Sequence, residues 1–304
     1  DECLILLQNV PMLTQLLTII VPVFFGVSIG FIWSRLGKPF DTNSVTSIVF
    51  NIGTPFLIFS TLTRLDIDTE TFADLALVIV VALFMFFFIS LLLLYILRLD
   101  VRTYLATIMI PNTGNVGIPL CFLAFGELGL AYAIIVYTIV SLTQFTLGVA
   151  IAAGSFSLLE LAKNSLIYAV LAALLVMLTN FQLPFWFSNT IYIFSQFAIP
   201  LMLISLGVSL EKIKVTSLPR NIVLSCLRLI IGLGVGLLVS HIFGLEGIAR
   251  GVIVLQCSMP AAVFNYLLAM RYENNPEEVA GLVITSTVIF FAILPLLLAF
   301  TLNL

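Results

Sequence analysis

Pro111-Asn112-Thr113-Gly114-Asn115-Val116-Gly117-Ile118-Pro119-Leu120 interrupts an otherwise apolar segment running from about Tyr104 to Phe125. The segment is long enough to cross a bilayer, but this stretch cannot continue a regular helix. Each proline removes a backbone donor and collides with the preceding turn, and hydrocarbon does not solvate the asparagine amides. Asn112 lies eight residues beyond Tyr104, roughly 12 Å at ~1.5 Å per residue. The break therefore falls near the middle of a ~30 Å hydrocarbon core. Backbone without helical hydrogen bonds at that depth is tolerated only against protein or a water-filled cavity. A proline kink packed among helices would need one such residue, whereas six helix-disfavouring residues in ten point to a site.

Composition agrees with a membrane setting. Hydrophobic residues make up 62% of the 304 and charged residues 9%, against about 25% charged in a soluble domain. The chain reads as an all-α integral membrane protein, one helical bundle without room for a sizeable soluble domain. A net charge of -3 gives no reason to expect a nucleic-acid partner. Cys3, Cys121, Cys226 and Cys257 lack metal-ligand spacing and read as small buried apolar residues. No cofactor is expected. The N-terminus lacks the basic region and cleavage pattern of a signal peptide, and Asp1 in place of Met suggests a trimmed start.

Hydropathy predicts ten spans: Met12–Trp33, Val45–Leu62, Phe72–Leu97, the broken segment, Leu128–Ala152, Ser165–Thr179, Thr190–Leu210, Asn221–Phe243, Ile248–Met270 and Val279–Leu302. The link 154–163 is the natural midpoint, dividing a first repeat (1–153, spans one to five) from a second (164–304, spans six to ten). The halves echo one another. Asn51-Ile52-Gly53-Thr54-Pro55 in span two matches Gln196-Phe197-Ala198-Ile199-Pro200 in span seven, and the same offset carries Asn115 onto Pro260. Span nine is broken as well, at Gln256-Cys257-Ser258-Met259-Pro260-Ala261-Ala262. Ser258 is expected to cap the second half-helix and Pro260 to occupy its first turn. Five spans per half require the second half to enter the membrane upside down. Inverted repeats broken at corresponding helices are the sequence pointer to a secondary transporter.

The basic residues orient the chain. Links after the odd-numbered spans hold Arg35, Lys38, Arg98, Arg102, Lys163, Lys212, Lys214, Arg220 and Arg271, nine of the twelve. The opposite links hold only Arg64 and Arg250, beside the Asp66, Asp68, Glu70 cluster, and Arg228 lies inside span eight. The positive-inside rule then places both termini outside the cytoplasm, in the cell (inner) membrane.

On Asn112 through Leu120, Pro200-Leu201 with Gly207 and Leu210, and Ser258-Met259-Pro260-Ala261 with Leu268-Ala269, Tyr272 and Ser286-Thr287, the chain resembles the auxin efflux carrier (PIN-like) family over nearly its whole length. That family is related to the bile-acid:sodium symporters. The resemblance implies a ten-helix 5+5 inverted repeat with spans four and nine crossing. It also implies a scaffold of spans one, two, six and seven, a transport domain of the remaining spans, elevator-type movement, and a homodimer through the scaffold. Substrates in the family are organic anions, indole-acetate in plants and small carboxylates such as malonate in bacteria. One departure stands out. Plant members pair an acidic and a basic residue early in span three, where this chain has Asp74 and Val78. The short 154–163 link suits a bacterial protein.

Two half-helix N-termini meeting at the crossing would present unpaired donors and positive dipole ends, which favour a carboxylate without fixed positive charge. The two breaks contribute Asn112, Thr113, Gly114, Asn115, Ser258 and Pro260 to the candidate site, and the resemblance makes Asn112 the carboxylate ligand. Asn51, Thr54, Tyr137 and Gln144 either line the same cavity or form interhelical hydrogen bonds. Arg228 is a candidate by virtue of its intramembrane charge, but snorkelling of its long stem to the interface is the favoured reading. His241 belongs at the outer interface, and Glu127 and Asp74 lie close to outer membrane edges. None of the fifteen acidic residues falls at mid-depth, so exporting uniport of a small organic anion is expected, with membrane lipid around the protein. The alternatives are a sodium- or proton-coupled symporter and, in another class, a non-transporting ligand sensor. No catalytic arrangement appears at membrane depth, so no enzyme is expected. Lys38→Cys and Lys212→Cys should both resist an impermeant thiol reagent added outside intact cells. Ready labelling at both would invert the orientation.

Overall fold

The computed structural model describes residues 11–64, 69–154, 165–179, 181–212 and 217–304. Every regular element among them is helical. In chain order they are α1 (Met12–Arg35), α2 (Thr42–Ile48), α3 (Thr54–Arg64), α4 (Thr69–Leu97), α5 (Val101–Met109), α6 (Ile118–Thr143) and α7 (Val149–Ala153). Then follow α8 (Ser165–Thr179), α9 (Phe185–Ser195), α10 (Ala198–Lys212), α11 (Leu218–Ile242), α12 (Gly247–Cys257), α13 (Phe264–Arg271) and α14 (Pro276–Thr301). Wider π-helical turns join α2 to α3 at Val49–Gly53, enter α6 at Thr113–Gly117, and join α6 to α7 at Gln144–Gly148. Cys3, Asp66, Asp68, Lys163, Lys214 and most of the 154–163 link lie outside the described residues.

Seven segments of the described residues are long and apolar enough to span a bilayer, which makes the chain a multi-pass membrane protein. The predicted breaks account for much of the difference from ten. Span four is cut after Met109, and its second part runs on with span five as one segment, Thr113–Ala153. Inside that segment Gly126 takes φ 67 and ψ -156, a conformation open to glycine, at the expected boundary between those spans. Span nine is cut after Cys257, and Ser165–Thr179 is apolar but only fifteen residues long. Span seven, expected to be continuous, is instead α9 and α10 with a turn at 196–197. Pro200 then falls in the first turn of α10, where its missing donor costs nothing. Pro55 instead directly follows the π-helical turn Val49–Gly53 within one continuous span, where the wider turn accommodates its missing donor.

The chain forms two compact units. One comprises the described residues within Asp1–Ala76, Gly114–Thr138 and Ala162–Lys212. In it α1 packs along α10, and α3 packs against α8 and α9. Lipid tails are as apolar as leucine, so helices in a membrane associate through close backbone approach. The α1–α10 seam is built that way. A Cβ added to Gly30 would run into the Ile204 carbonyl, and one added to Gly207 into the Val27 carbonyl.

The second unit comprises the described residues within Leu77–Thr113, Ile139–Leu161 and Ile213–Leu304. There α11 packs on α12 and α14, α13 on α14, and α5 on α7, α11 and α14. A buried cluster of Leu94, Tyr104, Leu105, Ile108, Leu224 and Leu282 fills its interior. Cys121 and Cys257 are buried as expected, whereas Cys226 is half-buried. Gly30→Ala and Gly207→Ala should each destabilise the detergent-purified protein by about 1–3 kcal/mol, the range for overpacking. Gly234→Ala, whose Cβ would meet nothing within 4 Å, should leave the melting temperature unchanged or raised.

Candidate functional site

The two predicted breaks meet within the second unit. After α5 the backbone turns extended at Ile110 (φ -97, ψ 112), and Pro111 forms an isolated antiparallel bridge with Ala261. The Asn112 N–H donates to the Pro260 carbonyl at 2.8 Å, and the Ala262 N–H donates to the Ile110 carbonyl at 3.2 Å. This clasp explains the residue types. Pro111 and Ala261 face each other at a non-hydrogen-bonded position of the ladder, so the missing donor of Pro111 is not needed. Pro260 contributes only its carbonyl. The Ala261 N–H points away from the ladder and is taken up by Ser286 Oγ on α14 at 3.1 Å. Backbone groups freed by the breaks thus find partners at a depth where water is scarce.

Side chains at the clasp are treated differently from its backbone. Asn112 is 4% exposed, and its Nδ2 has no hydrogen-bond partner among the described residues. Thr113, also buried, opens the π-helical turn that leads into α6. Such turns are frequent at functional sites. Ser258 is buried, but its hydroxyl donates to the Val254 carbonyl one turn back in α12 at 2.7 Å. It therefore does not cap the second half-helix. Nor does Pro260 enter a first turn, since α13 starts only at Phe264. A hydroxyl within reach of the i-4 carbonyl uses that local acceptor first.

Gln144 on the π-helical turn donates through Nε2 to Asn265 Oδ1 on α13 at 2.8 Å, both side chains buried. The bond satisfies one end of each amide and leaves Asn265 Nδ2 unpartnered. Gln144 is thus an interhelical tie in the same unit as Asn112.

The remaining candidates belong to the first unit. Gly114 lies against Tyr137, whose Cε2 would be 2.7 Å from an added Cβ, so glycine admits the ring there. Asn115 is half-buried. Asn51 is exposed and engaged in ties, donating to Ser47 Oγ at 3.0 Å and accepting from Ser165 Oγ at 3.4 Å. Thr54 is fully buried with its Oγ1 unpartnered. That unit also holds a cleft of about 370 Å³ lined by Ser60, Thr61, Arg64, Glu127, Tyr192 and Gln196 among others. Arg64 stacks over the Tyr192 ring there at 4.1 Å. None of the ten candidate residues lines that cleft.

Arg228 corrects the expectation of snorkelling. It stands ten residues into α11, about 15 Å along the axis, and is fully buried. Both terminal nitrogens donate to the Cys257 carbonyl at 3.4 Å, and the guanidinium lies 4.9 Å from the centre of the Phe86 ring. Gly232, one turn further on, makes the room, because a Cβ there would come 2.9 Å from Arg228 Nη1. Gln256, beside Cys257, is also fully buried, with neither side-chain polar atom partnered. Position along the chain misled the reading of Arg228, and the small residue at i+4 was the available signal. Ser286 and Asn265 were legible only as lone polar residues in apolar helices.

Comparison with known proteins bears on the whole chain. A family model described as membrane transport protein matches residues 15–155 and 150–298. An uncharacterized transporter of Methanothermobacter thermautotrophicus is 28% identical over 292 residues, 91% of this chain and 95% of the relative. A second uncharacterized transporter, from Methanocaldococcus jannaschii, is 26% identical over 190 residues, 59% of this chain and 61% of its own. With matches along both halves and apolar helices of spanning length, this protein belongs to the membrane transport protein family, the auxin efflux carrier (PIN-like) transporters.

Proposed function

We propose that the protein exports a small organic anion, a carboxylate, by elevator-type alternating-access uniport, and that the clasp between the two breaks is where the anion binds. The observation that carries this reading is the buried Asn112 amide, whose Nδ2 lacks a partner although the backbone around it is paired. Leaving a buried donor unsatisfied costs about 1–3 kcal/mol. A carboxylate oxygen accepting from Asn112 Nδ2 removes that cost, and the backbone break keeps the amide in place without its help. Thr113, Ser258 and Pro260 shape the same place.

In this reading the chain crosses the cell membrane ten times as two inverted repeats, 1–153 and 164–304, with both termini outside the cytoplasm. Spans three to five and eight to ten carry the substrate, and spans one, two, six and seven (α1 to α3 and α8 to α10) form the scaffold, through which two copies pair. With the cell interior negative, each exported charge gains ~2.3 kcal/mol per 100 mV.

Purified protein in proteoliposomes should move radiolabelled indole-3-acetate or malonate down its gradient at a rate that follows membrane potential and ignores an imposed sodium gradient. Uphill uptake driven by sodium alone would reject uniport. Asn112→Ala should keep its melting temperature and lose roughly ten- to a hundredfold in affinity, the worth of one hydrogen bond to a charged group. Asn112→Asp should bind still more weakly. Ser286→Ala should do the reverse of Asn112→Ala, lowering the melting temperature by leaving the Ala261 N–H buried and unpaired. A stable Asn112→Ala protein with unchanged affinity would remove Asn112 from the site.

A further inference from the structure

We propose that Arg228 is a built-in cation of the substrate-bearing unit, neutralising a bound monocarboxylate so that the membrane potential acts on the return of the empty unit. The inference rests on the transport reading above, but its observations are separate. Arg228 is the largest fully buried side chain among the described residues. No carboxylate among them pairs with it, whereas Arg220 in the same unit pairs with Glu278. Its partners are a backbone carbonyl and an aromatic face, and its Nε has none.

A buried, unpaired charge at mid-membrane is costly and is retained where it has a function. The Cys257 carbonyl ends α12, and a helix C-terminus carries only about half a negative charge. That partial charge belongs to a dipole with no net charge, so the guanidinium's full positive charge remains in the unit.

That charge sits close to the clasp. Cys257 is three residues from Pro260, a reach of at most ~10 Å, and Pro260 accepts from Asn112. Guanidinium and clasp are therefore within about 16 Å. Over ~10–16 Å at an effective dielectric of about 20, the attraction for an anion amounts to about five- to twentyfold in affinity. A lysine ammonium would be a tightly hydrated point charge, whereas guanidinium is weakly hydrated and stacks on aromatic rings. Arginine is the cation better suited to this dry position.

The consequence concerns which step senses voltage. Loaded with a monoanion, the unit carries no net charge outward, and empty it carries one positive charge inward, down the potential. The total charge per cycle is the same as without Arg228, but the step that moves it is different. One full charge crossing 100 mV is worth up to about fiftyfold in a rate or equilibrium.

The test compares two flux modes of radiolabelled indole-3-acetate at neutral pH in proteoliposomes clamped at zero and at an inside-negative potential. Exchange, with substrate on both sides, uses only the loaded unit, whereas net efflux requires the empty return. Wild-type exchange should change by less than about twofold while net efflux rises several-fold. Arg228→Gln should make exchange voltage-sensitive and lower affinity about five- to twentyfold, whereas Arg228→Lys, which keeps the charge, should retain voltage-insensitive exchange. A purely structural role would lower stability and leave the voltage pattern alone. Wild-type exchange as voltage-sensitive as net efflux would overturn the assignment without any variant, so the test survives a misfolded Arg228→Gln protein. An unchanged pattern in a folded Arg228→Gln protein would overturn it too. Absence of flux of both indole-3-acetate and malonate would instead sink the carboxylate reading, and the compensated charge with it.

Discussion

Everything in the second unit depends on one constraint: a peptide group at mid-membrane that loses its helical partner must find another. Two polypeptide segments lose theirs, after Met109 and after Cys257, and each supplies what the other lacks. The two main-chain bonds between Ile110–Asn112 and Pro260–Ala262 form the smallest piece of antiparallel ladder that can do this. Prolines at 111 and 260 are compatible with it because neither position calls on an N–H. They also forbid the competing outcome, a pair of unbroken helices.

Because the backbone closes on itself, the side chains at the breaks are released from structural duty. Ser286, on a helix outside the clasp, takes the one main-chain donor the ladder leaves over. Asn112 has no such task for its amide, and Arg228 is held by a carbonyl rather than a counter-charge. A hydrogen-bond donor and a positive charge in the same dry region, neither matched by a carboxylate among the described residues, give the region an electrostatic preference. Donors and a positive charge without an acceptor are what the proposed anion calls for.

Much of this was legible in the residues. Helix breakers at 111–119 and 256–262 located both interruptions to within a residue or two, since proline and glycine act locally and need no knowledge of partners. The boundary near Gly126 was visible in the hydropathy, between Phe125 and Leu128. What could not be read was decided by distance in space. Ser258 looked like a cap because it precedes an apolar run, but its own helix offered a closer acceptor at Val254. Arg228 looked able to reach an interface because it lies a few turns from one, but Gly232 opens a pocket toward Cys257. The turn at 196–197 was signalled by Ser195-Gln196 ahead of Pro200, but that motif was read only as the counterpart of the span-two motif.

Both units gain cohesion in the membrane from glycine packing and polar ties, and they differ in where the ties are placed. Without a solvent-driven force between helices, contact must come from close packing or from polar pairs. In the first unit polar ties such as Ser34 to Glu211 and Lys212 to Thr42 lie toward the helix ends, and the backbones at Gly30 and Gly207 press against facing carbonyls. Such a seam tolerates little displacement, because any slide brings side chains into the space the glycines leave. The second unit adds polar ties to its packing: Gln144 to Asn265, Asn274 to the Ala152 carbonyl, and Asn275 to Thr103. These hold α5, α7, α13 and the approach to α14 around the breaks, where glycine packing alone would leave amides and carbonyls unpaired. A uniformly apolar unit of this size would be no less cohesive in lipid, but it could not keep an asparagine amide and a guanidinium buried beside an interrupted backbone. The polar ties follow from housing that pair, and they are spent on the same few turns of helix that contain it.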